Sequence, residues 1–233
     1  ILRELGLEHS NLSDPEGFIA AAKLALLLEE AARATGDNSF GLHFGEGFNP
    51  KNIGPVIYVA LNSPTIGSAF ENIERYLKIH NEAAQWFTRL EGKYAYVGYE
   101  LAELGIESPR QYHEASMVIA LNTLRMMAGS HWAPQEILFA HVSPHQTSEH
   151  TRIFAAPVRF GCATNAFVIE RAFLEHQVPA ADLRLYKILQ RYLNTILADL
   201  PREDGFLASL RKAIAEMMRD GDPGLERVSK HLA

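Results

Sequence analysis

Apolar residues recur along the chain with two periods, and each change of period marks a change of element. From about Pro15 to Ala34 the spacing is helical, with Asp14 placed to cap, Pro15 suited to the first turn and Gly36 following the end. Between Thr65 and Asn81 the residues Ile66, Ala69, Phe70, Ile73, Leu77 and His80 recur at helical spacing, with Glu71, Glu74, Arg75 and Lys78 on the other side, which predicts an amphipathic helix. The period then falls to that of strands. Ala84 to Leu90 and Tyr94 to Leu101 are rich in aromatic residues and flank Glu91-Gly92-Lys93, a predicted hairpin with Ala95, Val97, Tyr99 and Leu101 on one face.

Ser108-Pro109 opens another helix, expected to run to Ala128 before Gly129, with Met117, Leu121, Leu124 and Ala128 on one stripe. Three short strands are expected at Ile137 to His141, Val158 to Phe160 and Ala166 to Glu170, with a loop or short helix over 143–156. Ala181 to Leu200 is strongly periodic and stops at Pro201; Phe206 to Met218 forms a further helix, and Asp220 to Gly224 a turn. Earlier in the chain, Gly41 to Gly47 reads as a break before a second apolar segment, Ile53 to Leu61. This order predicts an α+β fold, an antiparallel sheet packed with several helices and followed by a C-terminal helical region, rather than an alternating α/β sheet. The expected divisions are 1–180, a helical stretch over 181–220, and the start of another module over 221–233.

The 233 residues are 47% hydrophobic and 21% charged, enough to bury a core. A net charge of -6 leaves no basic face for phosphate contacts, so these residues are not expected to be a DNA-binding surface. The single cysteine, Cys162, excludes an intramolecular disulfide and fits a reducing compartment, hence a cytoplasmic expectation. The richest apolar run, Ile19 to Leu28, is short and contains Lys23, so no membrane span is expected. The chain opens on Ile1 rather than methionine, which leaves a preceding targeting segment open.

Candidate chemistry is sparse. No G-x-S-x-G elbow occurs, and Gly41 to Gly47 lacks the glycine spacing and Lys-Ser/Thr of a phosphate loop. His141, His145 and His150 offer three imidazoles, and a metal-dependent enzyme or metal sensor built on them is the alternative function. Pro144 interrupts a helical arrangement and no neighbouring cysteine or carboxylate completes a ligand pattern, so exposed loop histidines are the expectation. Cys162 lies near Arg159, which could activate a thiol, but a small buried residue is the commoner role. Trp86, Phe87, Tyr94, Tyr96 and Tyr99 would make either a ligand wall or ordinary sheet core and surface. No catalytic residues, resident metal or cofactor are expected.

Several segments taken together resemble the arabinose-binding-like N-terminal domain of AraC/XylS transcription regulators, in the subgroup that includes regulators of ornithine use. They are Leu2-Arg3-Glu4-Leu5-Gly6-Leu7, Ala34-Thr35-Gly36-Asp37, Gly41 to Glu46, and Leu61 to Gly67 leading to Phe70 and Arg75-Tyr76. Ile137 to His141, Pro157-Val158-Arg159-Phe160-Gly161 and Asn165 to Ile169 complete them, in order along most of the chain. Pro223 to Ala233 resembles the first helix of that family's helix-turn-helix module, with Gly224 where serine is common and Ser229 where alanine is common.

The resemblance implies no enzyme but a sensor for a small organic effector, such as an amino-acid derivative, a fatty acid or an aromatic metabolite. Its pocket is expected between the hairpin and the helices of 65–81 and 109–128, lined by Tyr58, Tyr76, His80, Trp86, Tyr99 and Met117, residues with apolar bulk and polar tips. It implies a homodimer seam on Leu185, Leu189, Tyr192 and Ile196, against the competing reading that this ridge packs on its own domain. The family's recognition helix would follow Ala233, so DNA binding is expected only of a longer parent protein.

Overall fold

A computed structural model describes residues 1–7, 17, 19–101 and 109–200. Asp14, Pro15, Ser108 and everything from Pro201 onward, including the helix of 206–218 and the helix-turn-helix resemblance, lie outside the described residues. The chain divides into units of residues 1–195 and 196–233. Helix α1, Ala21–Thr35, buries Ala25, Leu28 and Ala32 and ends on Gly36, whose φ of 69° supplies the left-handed cap expected of glycine.

The glycine-rich segment departs from its sequence reading. It is not a break but helix α2, Phe40–Gly47. The reason lies opposite, in helix α5, Arg110–Ala128. A Cβ on Gly41 would overlap the carbonyl oxygen of Gln111, and one on Gly45 would stand 2.7 Å from the Val118 Cβ. The two helices therefore meet backbone to backbone at Gly41, and the contact is tied by Gly41 N–H donating to Gln111 Oε1 (2.6 Å) and Asn122 Nδ2 donating to the Gly45 carbonyl (3.0 Å). Close approach offsets the helix-weakening entropy of glycine.

A short 3₁₀ turn, Pro50–Ile53, precedes helix α3, Pro55–Leu61. Helix α4, Ile66–His80, starts at a reciprocal cap in which Thr65 Oγ1 accepts from Ser68 N–H (3.1 Å) and Ser68 Oγ accepts from Thr65 N–H (2.9 Å). The hairpin follows as β1, Ala84–Glu91, and β2, Tyr94–Leu101. After α5 come β3, Glu136–Leu138; helix α6, Ser148–Phe154; β4, Val158–Arg159; β5, Asn165–Glu170; a 3₁₀ turn, Arg171–Glu175; and helix α7, Leu183–Asp199.

The fold is α+β, as expected. The sheet has the order β1-β2-β5-β3-β4 and is antiparallel except for the β3–β4 pair, which is parallel. Alternation sorts its residues onto two faces. Trp86, Ala95, Val97, Tyr99, Ile137, Phe167 and Ile169 join the main core with Leu42, Phe70, Ile73, Met117, Leu121 and Leu124 from the helices. On the second face Leu138, Ala166 and Val168 form a smaller cluster with Phe87, Tyr94, Tyr96 and Cys162. The aromatic hairpin is thus divided between core and second face.

Two glycines of one helix give opposite expectations. Gly41→Ala should cost ~1–3 kcal/mol through overpacking against α5, whereas Gly47→Ala, whose added Cβ meets nothing within 4 Å, should be neutral or slightly stabilising. Urea unfolding midpoints of the two variants check this.

Candidate functional site

Helix α5 is buried along most of its length, and one of its buried residues is charged. Glu114 is 0% exposed. Its carboxylate accepts from Arg110 Nη1 one turn earlier (3.0 and 3.3 Å) and from His150 Nε2 on α6 (2.9 Å). His141 Nε2 stands 3.7 Å from the same oxygen. A carboxylate removed from water needs such partners, and here α5 itself and α6 supply them.

This corrects the expectation for the loop histidines. His141 and His150 are buried, 6% and 0% exposed, while His145 is exposed. The first two converge on Glu114 and leave His145 outside, and among the described residues no three His, Cys, Asp or Glu side chains are grouped to hold a metal. Both rings pack on Phe139 and Phe160, with centroids 4.8 to 5.8 Å apart. His141 Nδ1–H donates to the Val142 carbonyl (2.9 Å), which leaves Nε2 as the unprotonated nitrogen, and burial holds the ring below the usual imidazole range.

His113, the neighbour of Glu114 on α5, serves the sheet. Its Nδ1 accepts from Tyr99 O–H (2.8 Å) and from Asn165 Nδ2 (3.1 Å), an amide whose orientation is fixed because Asn165 Oδ1 accepts from Ala140 N–H. Burial pushes His113 down to about 4. An added proton on Nδ1 would oppose two donors.

The six residues expected to line an effector pocket are dispersed. Trp86, Tyr99 and Met117 are packed together in the main core. Tyr76 is buried on α4 and donates its hydroxyl to Asn194 Oδ1 of α7 (3.0 Å). Tyr58 and His80 are exposed. A concave site lies instead on the second face of the sheet, a cavity of about 450 Å³ lined by residues of β1, β2, β3 and β4 and by the loop 160–164. None of the six lines it. Its signal in the sequence was the alternation of Phe87 with Trp86 and of Tyr96 with Tyr99, which sends half of the aromatic residues away from the helices.

Helix α7 turns a polar side to the rest of its unit. Tyr186 and Gln190 bond each other and Asn72 of α4 (2.8 to 3.2 Å), Asn194 takes the Tyr76 hydroxyl, and Leu193 is buried between them in sequence. The apolar ridge points elsewhere: Leu185, Ile188 and Tyr192 are 38%, 56% and 54% exposed, and Leu189 and Ile196 are half-buried.

Residues 1–178 match the family model described as the arabinose-binding domain of AraC transcription regulators, N-terminal. The regulator VirS of Mycobacterium tuberculosis, described as an HTH-type transcriptional regulator, is 27% identical over 192 residues, in both strain CDC 1551 and strain H37Rv. That alignment covers 82% of this chain and 55% of VirS, so the chain spans about half the length of these relatives. The crystal structure of the transcriptional regulator CdpR from Pseudomonas aeruginosa shares the fold, with a TM-score of 0.62 and 18% identity over 99% of this chain and 74% of that one.

Two outcomes test the buried cluster. Glu114→Leu should lose ~3–5 kcal/mol, the magnitude for stranding one side of a buried charged pair, read from urea unfolding at neutral pH. For His113 and His141 the folded state binds protons less readily than the unfolded chain, so their contribution is present above about pH 6.5 and is lost as pH falls, for His113 toward about 4. His113→Gln should make that acid limb shallower; an unchanged limb would show that His113 does not titrate on unfolding.

Proposed function

Because the chain belongs to the family of N-terminal arabinose-binding domains of AraC transcription regulators, we propose that it senses a small organic effector and dimerises within a longer regulator that binds DNA through a helix-turn-helix region. The observation that carries this reading is the match over residues 1–178, which extends to the doorstep of α7. VirS, described as an HTH-type regulator, is longer than this chain and supports the same division of labour. No helix among the described residues is long and apolar enough to cross a membrane, in keeping with action in the cytoplasm.

The dimer is proposed on α7. Leu185, Leu189, Tyr192 and Ile196, joined by Ile188, recur at spacings of three and four residues, the seam of two packed helices. A ridge that packed on its own domain would face α4, but that side is occupied by Tyr186, Gln190 and Asn194. A twofold pair of α7 helices removes the ridge from water and brings two units together. Effector binding then acts by favouring one of two arrangements of the dimer, in proportion to its difference in affinity for them.

The 233-residue chain should sediment as a dimer at micromolar concentration, and Ile188→Glu with Tyr192→Glu should convert it to a monomer with an unchanged far-UV spectrum. A wild-type monomer would remove the seam. A thermal-shift screen of organic metabolites should find at least one that raises the melting temperature.

A further inference from the structure

The cavity on the second face lies across two rows of paired residues in the sheet. One row of paired positions reads Phe87, Gly98, Ala166, Leu138 and Arg159. The centre of the row has no side chain at Gly98 and a methyl at Ala166, while its ends are large. The next row reads Arg89, Tyr96, Val168 and Glu136. Phe87, Leu138 and Arg159 of the first row, Arg89 and Tyr96 of the second, and the loop 160–164 line a trough. That loop is anchored: Gly161, at φ 68°, donates its N–H to the His141 carbonyl (2.9 Å) and Cys162 donates to the Phe139 carbonyl (3.0 Å).

The trough is apolar below and carries two arginines at its rim. Phe87, Tyr96, Leu138 and Phe160 supply the walls, and the charged lining is two arginines, Arg89 and Arg159, against one glutamate, Glu91. The Arg89 guanidinium lies 4.3 Å over the Phe87 ring and is paired with Glu100 on β2, while Arg159 is paired with Glu136 (3.3 Å). These contacts hold each planar group while each still has free N–H donors, because a guanidinium carries five. A volume of about 450 Å³ is that of a small-molecule site.

We propose that this trough is the effector site and that its ligand is a small amphipathic carboxylate, with the apolar body on Phe87, Tyr96, Leu138 and Phe160 and the carboxylate at the arginine rim. The proposal rests on the sensor reading and adds to it a place and a ligand class. Phe160 also packs against the buried His141 and His150 rings, tilted on one and edge-to-face on the other, so a ligand that moves it presses on the Glu114 cluster and hence on α5 and α6.

The chain's single cysteine, Cys162, lines the trough and reports on it. Alkylation by iodoacetate should be favoured over iodoacetamide by about fivefold relative to the same ratio in the urea-unfolded chain, the effect of cationic groups close to an anionic reagent. Arg89→Gln with Arg159→Gln should abolish the preference, Arg89→Lys with Arg159→Lys should keep it, and melting curves should show all variants folded. Octanoate should slow labelling by iodoacetamide in the wild type and octanol at equal concentration should not. Equal reagent ratios in the folded and unfolded wild-type chain, or no protection by octanoate, would overturn the site. A metabolite that raises the melting temperature without slowing Cys162 labelling would overturn the site too, yet leave the sensor reading standing.

Discussion

The arrangement of the domain depends on burying one carboxylate. Glu114 sits on a helix with almost no solvent-facing side, and an isolated carboxylate there would be prohibitively costly. Arg110 answers it from the same helix and His150 from α6, with His141 close behind. The cluster consequently ties α6 to α5. Gly41 and Gly45 do the complementary work on another side of α5, letting α2 approach closely enough to complete the enclosure. Polar satisfaction and steric allowance thus converge on one helix, and the sheet is bonded to the same helix through His113, Tyr99 and Asn165.

Around this fixed centre lie two surfaces of a different character. The second face of the sheet carries a trough with apolar walls and arginines at its rim, and α7 carries an apolar ridge directed away from α4. Neither is what a domain concerned only with its own stability would expose, since exposed apolar surface costs free energy unless something covers it. The proposed effector for the trough and the proposed second copy for the ridge would give each a partner. The loop 160–164 links the trough to the buried cluster, because Phe160 touches both imidazoles.

Much of the fold was legible in the sequence because it is written in local periods. The helices of α4, α5 and α7 and both strands of the hairpin fall within a few residues of their expected bounds. Gly41 to Gly47 was misread because its glycines answer a partner seventy residues away, and composition alone cannot separate a close helix contact from a turn. His141 and His150 were misread for a similar reason: their partner, Glu114, lies on α5, far from them in sequence. The amphipathicity of α7 left two readings open, and the bonding of its polar side to α4 supports the proposed seam. Alternation marked the second face through Phe87 and Tyr96, but not the trough on it, which depends on register between strands far apart in sequence.

Native mass spectrometry of the purified chain addresses the central claim most directly, because it reads subunit number and retained small molecules together. The account requires a particle with the mass of two chains that carries, or on incubation takes up, an organic acid. A monomer that binds no organic acid would contradict it.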